Sequence, residues 1–122
     1  MSSIDIARAL VAEAWKRSEL WSANLTESER ILRAAVASEQ KDVGLLTCLG
    51  AVLSDLGKHK EAVGILESAL RLGSKDRNTF FNLGVAEINS GTHEKAMGYF
   101  KQAQVLPKSL ITWEAYFDPQ AH

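Results

Sequence analysis

The sequence predicts an all-α fold built as an array of three helix pairs. The main observation is an internal repeat, in which eight residues recur, identical and in order, 34 positions later. The first copy contains Leu49, Gly50, Gly57, His59, Ala62, Gly64, Ala69 and Leu72, and the second contains Leu83, Gly84, Gly91, His93, Ala96, Gly98, Ala103 and Leu106. Such self-similarity at a fixed helical period is typical of stacked repeats. A second observation is that apolar residues recur at helical spacing, with no strand pattern or long linker between them.

The composition fits one soluble globular domain spanning residues 1–122. The chain is 46% hydrophobic and 24% charged, and it is long enough to bury a core of its own. Its net charge of -1 gives no electrostatic reason to expect a nucleic acid or a membrane as a partner. Cys48 is the only cysteine, so no internal disulfide can form. Because no secretion signal and no apolar run of ~18 residues is found, we expect a cytoplasmic protein.

Six helices are expected along the chain. They span about residues 4–21, 26–38, 42–57, 59–72, 76–91 and 92–106. Side chains that can accept the free N–H groups of a helix start are Ser3, Asp42, Asp76 and Thr92. For the second helix, Thr26 with Glu29 forms a capping box that follows a break at Asn24 and Leu25. Three of the helices are expected to end at glycines, which are Gly57, Gly73 and Gly91, and Pro107 stops the sixth.

The C-terminal residues 109–118 are expected to add a short capping helix. It would begin near Ser109 and end before Asp118 and Pro119. This helix would offer three large side chains, Leu110, Trp113 and Phe117, to the exposed end of the helix stack. Terminal elements of this kind protect the open end of a repeat array from solvent.

Small residues predict where the helices approach one another closely. Gly50 and Gly84 remove a side chain at the crossing of two paired helices, and small alanines face them. Leu49, Leu66, Leu83 and Phe100 are expected to fill the layers between pairs. Gly64 and Gly98 lie inside predicted helices, where glycine costs about 1 kcal/mol relative to alanine. We interpret them as further sites of tight packing.

These positions resemble the tetratricopeptide repeat family. One matching pattern comprises Phe80, Leu83, Gly84, Gly91, Ala96, Phe100 and Ala103 with Pro107, and the other comprises Leu46, Leu49, Gly50, Gly57, Ala62, Leu66 and Ala69. A degenerate copy precedes them, with Trp15 in the place of Leu49. The resemblance implies a right-handed superhelix with repeats at about 9–42, 43–76 and 77–110.

The resemblance also implies that the first helix of each pair lines a concave groove that binds a segment of a partner protein. The matching positions are Glu13, Arg17, Trp21, Thr47, Ala51, Ser54, Asp55, Asn78, Phe81, Asn82, Val85, Ile88 and Asn89. The three asparagines share one helical face, where their amides can donate to and accept from an extended peptide backbone. An apolar patch beside them consists of Phe81, Val85 and Ile88. This patch indicates an interaction site unless the sixth helix or a neighbouring subunit covers it.

No pattern in the sequence points to catalysis, and we predict no enzyme activity, no cofactor and no metal. His59 and His93 occupy equivalent repeat positions, which favours stacking or surface hydrogen bonding over metal ligation. One cysteine with two dispersed histidines does not supply the four ligands of a zinc site. Cys48 is expected to be a small buried residue. Glu87 stands where the family has a large aromatic residue, and its carboxylate either reaches solvent or a lysine or pairs with a partner's cation.

The leading functional hypothesis is a small adaptor that binds a segment of another protein in the groove. The alternative is a dedicated chaperone or neutralising partner of a single secreted effector or toxin, and a third possibility is self-assembly into a homo-oligomer. Tetratricopeptide domains that hold the C-terminal carboxylate of heat-shock chaperones use a clamp of lysines and arginines. The matching positions here, Glu13, Arg17, Cys48, Asn78 and Asn82, contain no lysine, which argues against that role.

Overall fold

The computed structural model describes residues 1–121, and this part of the chain forms six α-helices. They are α1 (Ser3–Lys16), α2 (Trp21–Ser38), α3 (Val43–Asp55), α4 (His59–Arg71), α5 (Arg77–Asn89) and α6 (His93–Ala103). Short 3₁₀ turns occupy Ser18–Leu20 and Pro119–Ala121. Consecutive helices pack as three pairs, and α2 with α3 and α4 with α5 join one pair to the next. The predicted all-α helical repeat array is confirmed.

The first pair differs from its prediction because tertiary contacts override the local sequence signals. The first helix ends at Lys16, and α2 runs without a break through Asn24 and Leu25. The Asn24 side chain donates to the Leu10 carbonyl at 2.9 Å and to a Glu13 carboxylate oxygen at 3.0 Å, while Leu25 is fully buried. These contacts hold both residues in a helix that packs on α1.

The expected capping box at Thr26 and Glu29 is wrong, since both residues lie in the interior of α2. Glu29 instead forms ion pairs with Arg33 at 2.7 Å and Lys58 at 2.9 Å. A capping box does exist at the start of α1, where Ser2, rather than Ser3, is the N-cap residue. The Ser2 hydroxyl accepts from the backbone N–H of Asp5 at 3.1 Å.

The second and third pairs begin and end close to the predicted residues. Asp42 accepts from the backbone N–H of Leu45 at 3.0 Å, and Asp76 accepts from that of Asn78 at 3.0 Å. The turns after the helices contain the expected glycines in left-handed conformation, with φ of 83° at Gly57, 92° at Gly73 and 89° at Gly91. Thr92 occupies the N-cap position of α6, but its side chain makes no capping hydrogen bond.

Two of the helical glycines permit close packing and two do not. A Cβ atom at Gly84 would lie 2.7 Å from Phe100, and one at Gly50 would overlap Leu66. The predicted close approach of the paired helices is therefore confirmed at both residues. The facing side chains, however, are the large Leu66 and Phe100 rather than small alanines, so these two pack within a helix pair and not only between pairs. Gly64 and Gly98, by contrast, are exposed, and an added Cβ would meet no atom within 4 Å. The prediction of tight packing at these two positions is wrong.

The predicted C-terminal capping helix is also wrong. Residues 109–117, here called the C-terminal segment, form no helix and lie against α3 and α5. Leu110 is 91% exposed, whereas Trp113 and Phe117 pack inside the array rather than over its end. The segment leaves helical structure because side chains of α3 and α5 bind backbone groups that a helix would pair internally.

The C-terminal segment explains why α3 is enclosed. Eleven of the 13 residues of α3 are buried, more than a helix with one solvent-facing side can bury. The neighbouring helices cover part of its surface, and the segment covers another part through Trp113 and Ala115. The face of α3 and α5 that the sequence predicts as an open groove is thus occupied by the C-terminal segment.

Candidate functional site

The candidate site is the face of α3 and α5 that contacts the C-terminal segment, here called the groove, together with that segment. At one end, the Asp76 carboxylate accepts from the Ser109 backbone N–H at 2.9 Å and from the Thr112 hydroxyl at 2.6 Å. The Asn78 amide donates to the same hydroxyl at 3.0 Å. Asp76 therefore caps α5 and binds the segment, a second role that no sequence signal distinguishes from capping.

Asn82 holds the middle of the segment by its backbone. Its amide nitrogen donates to the Trp113 carbonyl at 3.0 Å, and its oxygen accepts from the Ala115 N–H at 2.7 Å. These two backbone groups flank Glu114 and point the same way, as they do in an extended chain. Since Asn82 is fully buried, both bonds form away from water. The sequence prediction that this asparagine suits an extended backbone matches what it contacts here.

Side chains from Trp113 to Phe117 alternate between the groove and solvent, the pattern of an extended strand. Ala115 is 3% exposed and packs with Ala51 and Val85, while Trp113 and Phe117 are half-buried beside them. Glu114 and Tyr116 face outward. The segment therefore presents one face to the helices and the other to solvent.

Aromatic contacts hold the far end of the segment. The ring of Phe117 lies 5.3 Å from that of Phe100 and 6.4 Å from that of Phe81, measured between ring centroids. The Arg77 guanidinium stands 4.8 Å from the Phe81 ring centroid. Phe100 of α6 also contacts Phe81, with 5.4 Å between their ring centroids. The predicted apolar patch is thus covered at Phe81 and Val85 by the sixth helix and by the C-terminal segment, and Ile88 is buried as well.

Asp55, near the end of α3, binds the segment in a buried environment. Its Oδ1 accepts from the Tyr116 backbone N–H at 2.8 Å. Burial raises the pKa of this carboxyl to about 7, although the Tyr116 N–H opposes the shift. The other carboxylate oxygen, Oδ2, is buried and has no hydrogen-bond partner among the described residues.

An open cleft of about 480 Å³ separates the segment from α1. Arg8 lies at its wall, where its guanidinium donates to the Leu110 carbonyl at 3.2 Å and stands 5.7 Å from the Trp113 ring centroid. Trp15 and Tyr116 approach across the cleft, with 5.4 Å between their ring centroids. Sequence reasoning did not assign Arg8 or Trp15 to the site, because the path of the segment brings them there.

The remaining predicted groove residues form no hydrogen bond with the segment among residues 1–121. Glu13 accepts from Asn24, and exposed Arg17 pairs with Glu19 at 3.1 Å. Asn89 donates to the Val85 carbonyl of its own helix at 2.9 Å. The others are Trp21, which is half-buried, and Thr47, Ser54 and Ile88, which are buried. Their role in partner binding stays a prediction.

No group of three or more His, Cys, Asp or Glu residues in the part of the chain that the structure describes could hold a metal ion. Cys48 is buried, as predicted, and burial raises the pKa of its thiol to about 12, which disfavours the nucleophilic thiolate. Glu87 is 4% exposed, so it lies in the packed layer. Across residues 1–121, no helix combines the length and apolar character needed to span a membrane.

Comparison with known proteins supports the fold. No protein-family model matches the sequence, and no curated protein sequence matches it either. The solved structure described as "MamA MSR-1 C2" is similar, with a TM-score of 0.59 and 18% sequence identity. The similarity covers 83% of this chain and 63% of that chain, so this chain spans less than two thirds of its neighbour. MamA contains tetratricopeptide repeats, and the likeness shows a helical fold of that kind.

Proposed function

We propose that this protein is a protein-interaction adaptor whose concave groove binds an extended segment of a partner protein. The observation that carries the proposal is the pair of hydrogen bonds between Asn82 and the backbone of Trp113 and Ala115. A carboxamide that donates to one peptide carbonyl and accepts from the next N–H in register recognises a polypeptide main chain. The groove therefore has the chemistry of a peptide site.

The walls of the groove suit a peptide as well. Backbone recognition by Asn82 tolerates many side chains, so affinity has to come from apolar burial. Phe81, Phe100 and Val85 provide that surface beside Asn82. A partner that enters this groove competes with the C-terminal segment for the same contacts, and binding is expected to be reversible and sequence-selective.

A display selection tests the proposal. A phage library of random 12-residue peptides is selected against the protein with Ala115→Arg, in which a long cation at a buried position keeps the C-terminal segment out of the groove, so that competition by the segment does not mask the effect of a groove variant. Asn82→Ala is added to this protein as the test and Asn89→Ala as the matched control. Both asparagines lie on α5, but the Asn89 amide donates to the Val85 carbonyl of its own helix. We expect related peptides to bind the Ala115→Arg protein with or without Asn89→Ala, and to lose at least tenfold in affinity when Asn82→Ala is added.

Circular dichroism on all three proteins shows whether the helices remain intact. Peptides that bind equally to Asn82→Ala would place the interaction on another surface and overturn the groove assignment. A library that yields no related peptides with any of the three proteins would argue against peptide binding altogether.

A further inference from the structure

The C-terminal segment binds the groove as a ligand binds a receptor. Most of its polar contacts join its backbone or a hydroxyl to side chains of the helices, and it has no helix of its own. We propose that it competes with a partner protein for the groove, and that its side-chain pattern defines the partner's segment. From residue 112 to residue 117, this pattern is a hydroxyl residue, an aromatic residue, any residue, a small residue, any residue and an aromatic residue. This inference rests on the proposed function and specifies the ligand of that groove.

The first position of the pattern requires a hydroxyl group. The Thr112 hydroxyl donates to Asp76 at 2.6 Å and accepts from the Asn78 amide at 3.0 Å. Serine or threonine can do both at once, whereas valine would leave Asp76 and buried Asn78 without these partners. A carboxylate at this position would be repelled by the Asp76 charge.

The second and sixth positions of the pattern require large aromatic rings. Trp113 packs against the main core and under the Arg8 guanidinium, and Phe117 packs against Phe81 and Phe100. The small position lies between them, because Ala115 is 3% exposed against Ala51 and Val85. A longer side chain there would collide with both helices.

The remaining two positions tolerate change. Glu114 points outward and pairs with Arg77 at 3.0 Å in a partly exposed ion pair, which contributes little. The Tyr116 backbone N–H binds α3, while its side chain is 50% exposed and contacts the equally exposed Trp15 ring at the edge of the cleft, where other long side chains can lie. The pattern is therefore set by residues 112, 113, 115 and 117.

The fit of the segment is incomplete, which makes it replaceable. Two polar atoms of this contact are buried without a hydrogen-bond partner among the described residues: Asp55 Oδ2 and Trp113 Nε1. Buried polar atoms are nearly always paired in stable interfaces. A partner segment that supplies a donor to Asp55 Oδ2 would satisfy a group that the C-terminal segment leaves open.

Tethering explains how an imperfect ligand can hold the groove. A short link, residues 104–108, joins the segment to α6, so its effective concentration at the groove is of the order of millimolar. A free peptide of identical sequence at micromolar concentration cannot compete with it. The groove is thus closed to weak ligands and opens to a partner that fits better.

A direct test uses a fluorescein-labelled peptide copying residues 107–120 and fluorescence anisotropy. Ala115→Arg in the protein places a long cation at a buried position and expels the tethered segment while leaving the helices unchanged in sequence. Tyr116→Arg is the matched control, with the same new side chain on the outward face. We expect the peptide to bind Ala115→Arg at least tenfold more tightly than it binds the wild type or Tyr116→Arg.

Peptide variants test the pattern itself. Thr112→Val and Ala115→Leu in the peptide are each expected to weaken binding to the Ala115→Arg protein at least tenfold, and Glu114→Gln to change it less than threefold. Equal binding of all peptides would overturn the pattern. If the display selection still yields Asn82-dependent peptides of another pattern, the proposed groove function survives and only this inference fails.

Cys48 provides a second measurement that needs no substitution. Its thiol lies against the backbone of Trp113, so a thiol reagent reaches it when the segment leaves. We expect the rate at which dithionitrobenzoate labels Cys48 in the wild type to change little at low concentrations of urea. Such a rate is typical of a local opening, here the departure of the C-terminal segment. A rate that follows global unfolding would identify the segment as permanent core and overturn the proposal.

Analytical ultracentrifugation tests whether the groove binds a different protein or a second copy of this chain. We expect the wild type to remain monomeric as its concentration rises. A dimer in the wild type that is lost in Ala115→Arg would assign the groove to the segment of a second copy and overturn the partner assignment.

Discussion

Asp55 and Tyr116 are separated by 61 positions in the chain, yet the Tyr116 backbone N–H donates to Asp55 Oδ1 at 2.8 Å. This bond joins the end of α3 to the C-terminal segment, and it forms where burial raises the pKa of Asp55 to about 7. The carboxyl group therefore couples the packing of the segment to pH in the neutral range.

The stability of the protein should depend on pH through Asp55. In the unfolded chain its pKa is about 4, so between about pH 4 and 7 the folded state holds a proton that the unfolded state releases. The contribution of this group is fully present below pH 4 and is lost as pH rises towards 7, by at most about 1.4 kcal/mol per pH unit. Asp55→Asn should remove this dependence.

Urea unfolding at pH 5 and pH 7.5 measures the effect. The free energy of unfolding of Asp55→Asn relative to that of the wild type should be higher at pH 7.5 than at pH 5. Asp118→Asn serves as a control for the loss of one carboxylate. Parallel pH profiles for wild type and Asp55→Asn would contradict the assignment.

Gly64→Ala and Gly98→Ala should each stabilise the protein by about 0.5–1 kcal/mol. Both glycines lie inside helices, are exposed and have open space where a Cβ would be placed. Alanine lowers the backbone entropy lost on folding there. Gly50→Ala is the contrasting variant and should destabilise, because its Cβ would overlap Leu66. Thermal unfolding of the three variants checks the order of their melting temperatures. A Gly50→Ala variant as stable as the wild type would disprove the close crossing.

Glu29 should contribute more to the stability of the folded protein than Glu27, two positions earlier. Burial alone would raise the pKa of Glu29, but hydrogen bonds from Lys58 and Arg33 outweigh it and lower the pKa. Glu29→Ala is expected to cost roughly 1–3 kcal/mol at pH 7, because it removes two partly buried charged hydrogen bonds, one to Arg33 within α2 and one to Lys58 in the turn before α4. Glu27→Ala removes an exposed pair with Arg30 and should change stability by less than about 1 kcal/mol. Equal free energies of unfolding for Glu29→Ala and Glu27→Ala in urea would contradict this expectation.

Asn82→Ala should loosen the C-terminal segment before it unfolds the helices. The variant leaves the Trp113 carbonyl and the Ala115 N–H without their buried partner, at a cost of roughly 1–3 kcal/mol. Chymotrypsin cleaves beside aromatic residues, and its cleavage after Tyr116 or Phe117 should accelerate about tenfold. Asn89→Ala should be cleaved at the wild-type rate. A cleavage pattern that begins inside the helices would show that the segment and the helices unfold together.

Local sequence signals accounted for most of the helices and failed where distant contacts compete. Asp42 and Asp76 cap their helices as predicted, because a cap depends on groups within three residues. Thr26 has the same local signal, yet α2 continues through it because Asn24 and Leu25 pack on α1. The difference reflects burial energy, which short sequence patterns do not contain.

The candidate site was partly predictable. Asn78 and Asn82 were selected from their helical face, and both do bind a peptide hydroxyl or backbone. Asn89 shares that face but bonds within its own helix. Asp76, Arg8 and Trp15 were missed, because only the path of the C-terminal segment brings them to the groove.

By itself, the sequence determined the repeat period, the order of the helices and the close crossings at Gly50 and Gly84, since these follow from spacing and side-chain size. Only the tertiary structure decided where residues 109–117 lie. Their backbone groups are bound by side chains 31 to 102 positions away, and hydrogen bonds of that range replace the internal bonds of the expected helix. The same physics turned a groove that the sequence predicts as open into one that the protein fills itself.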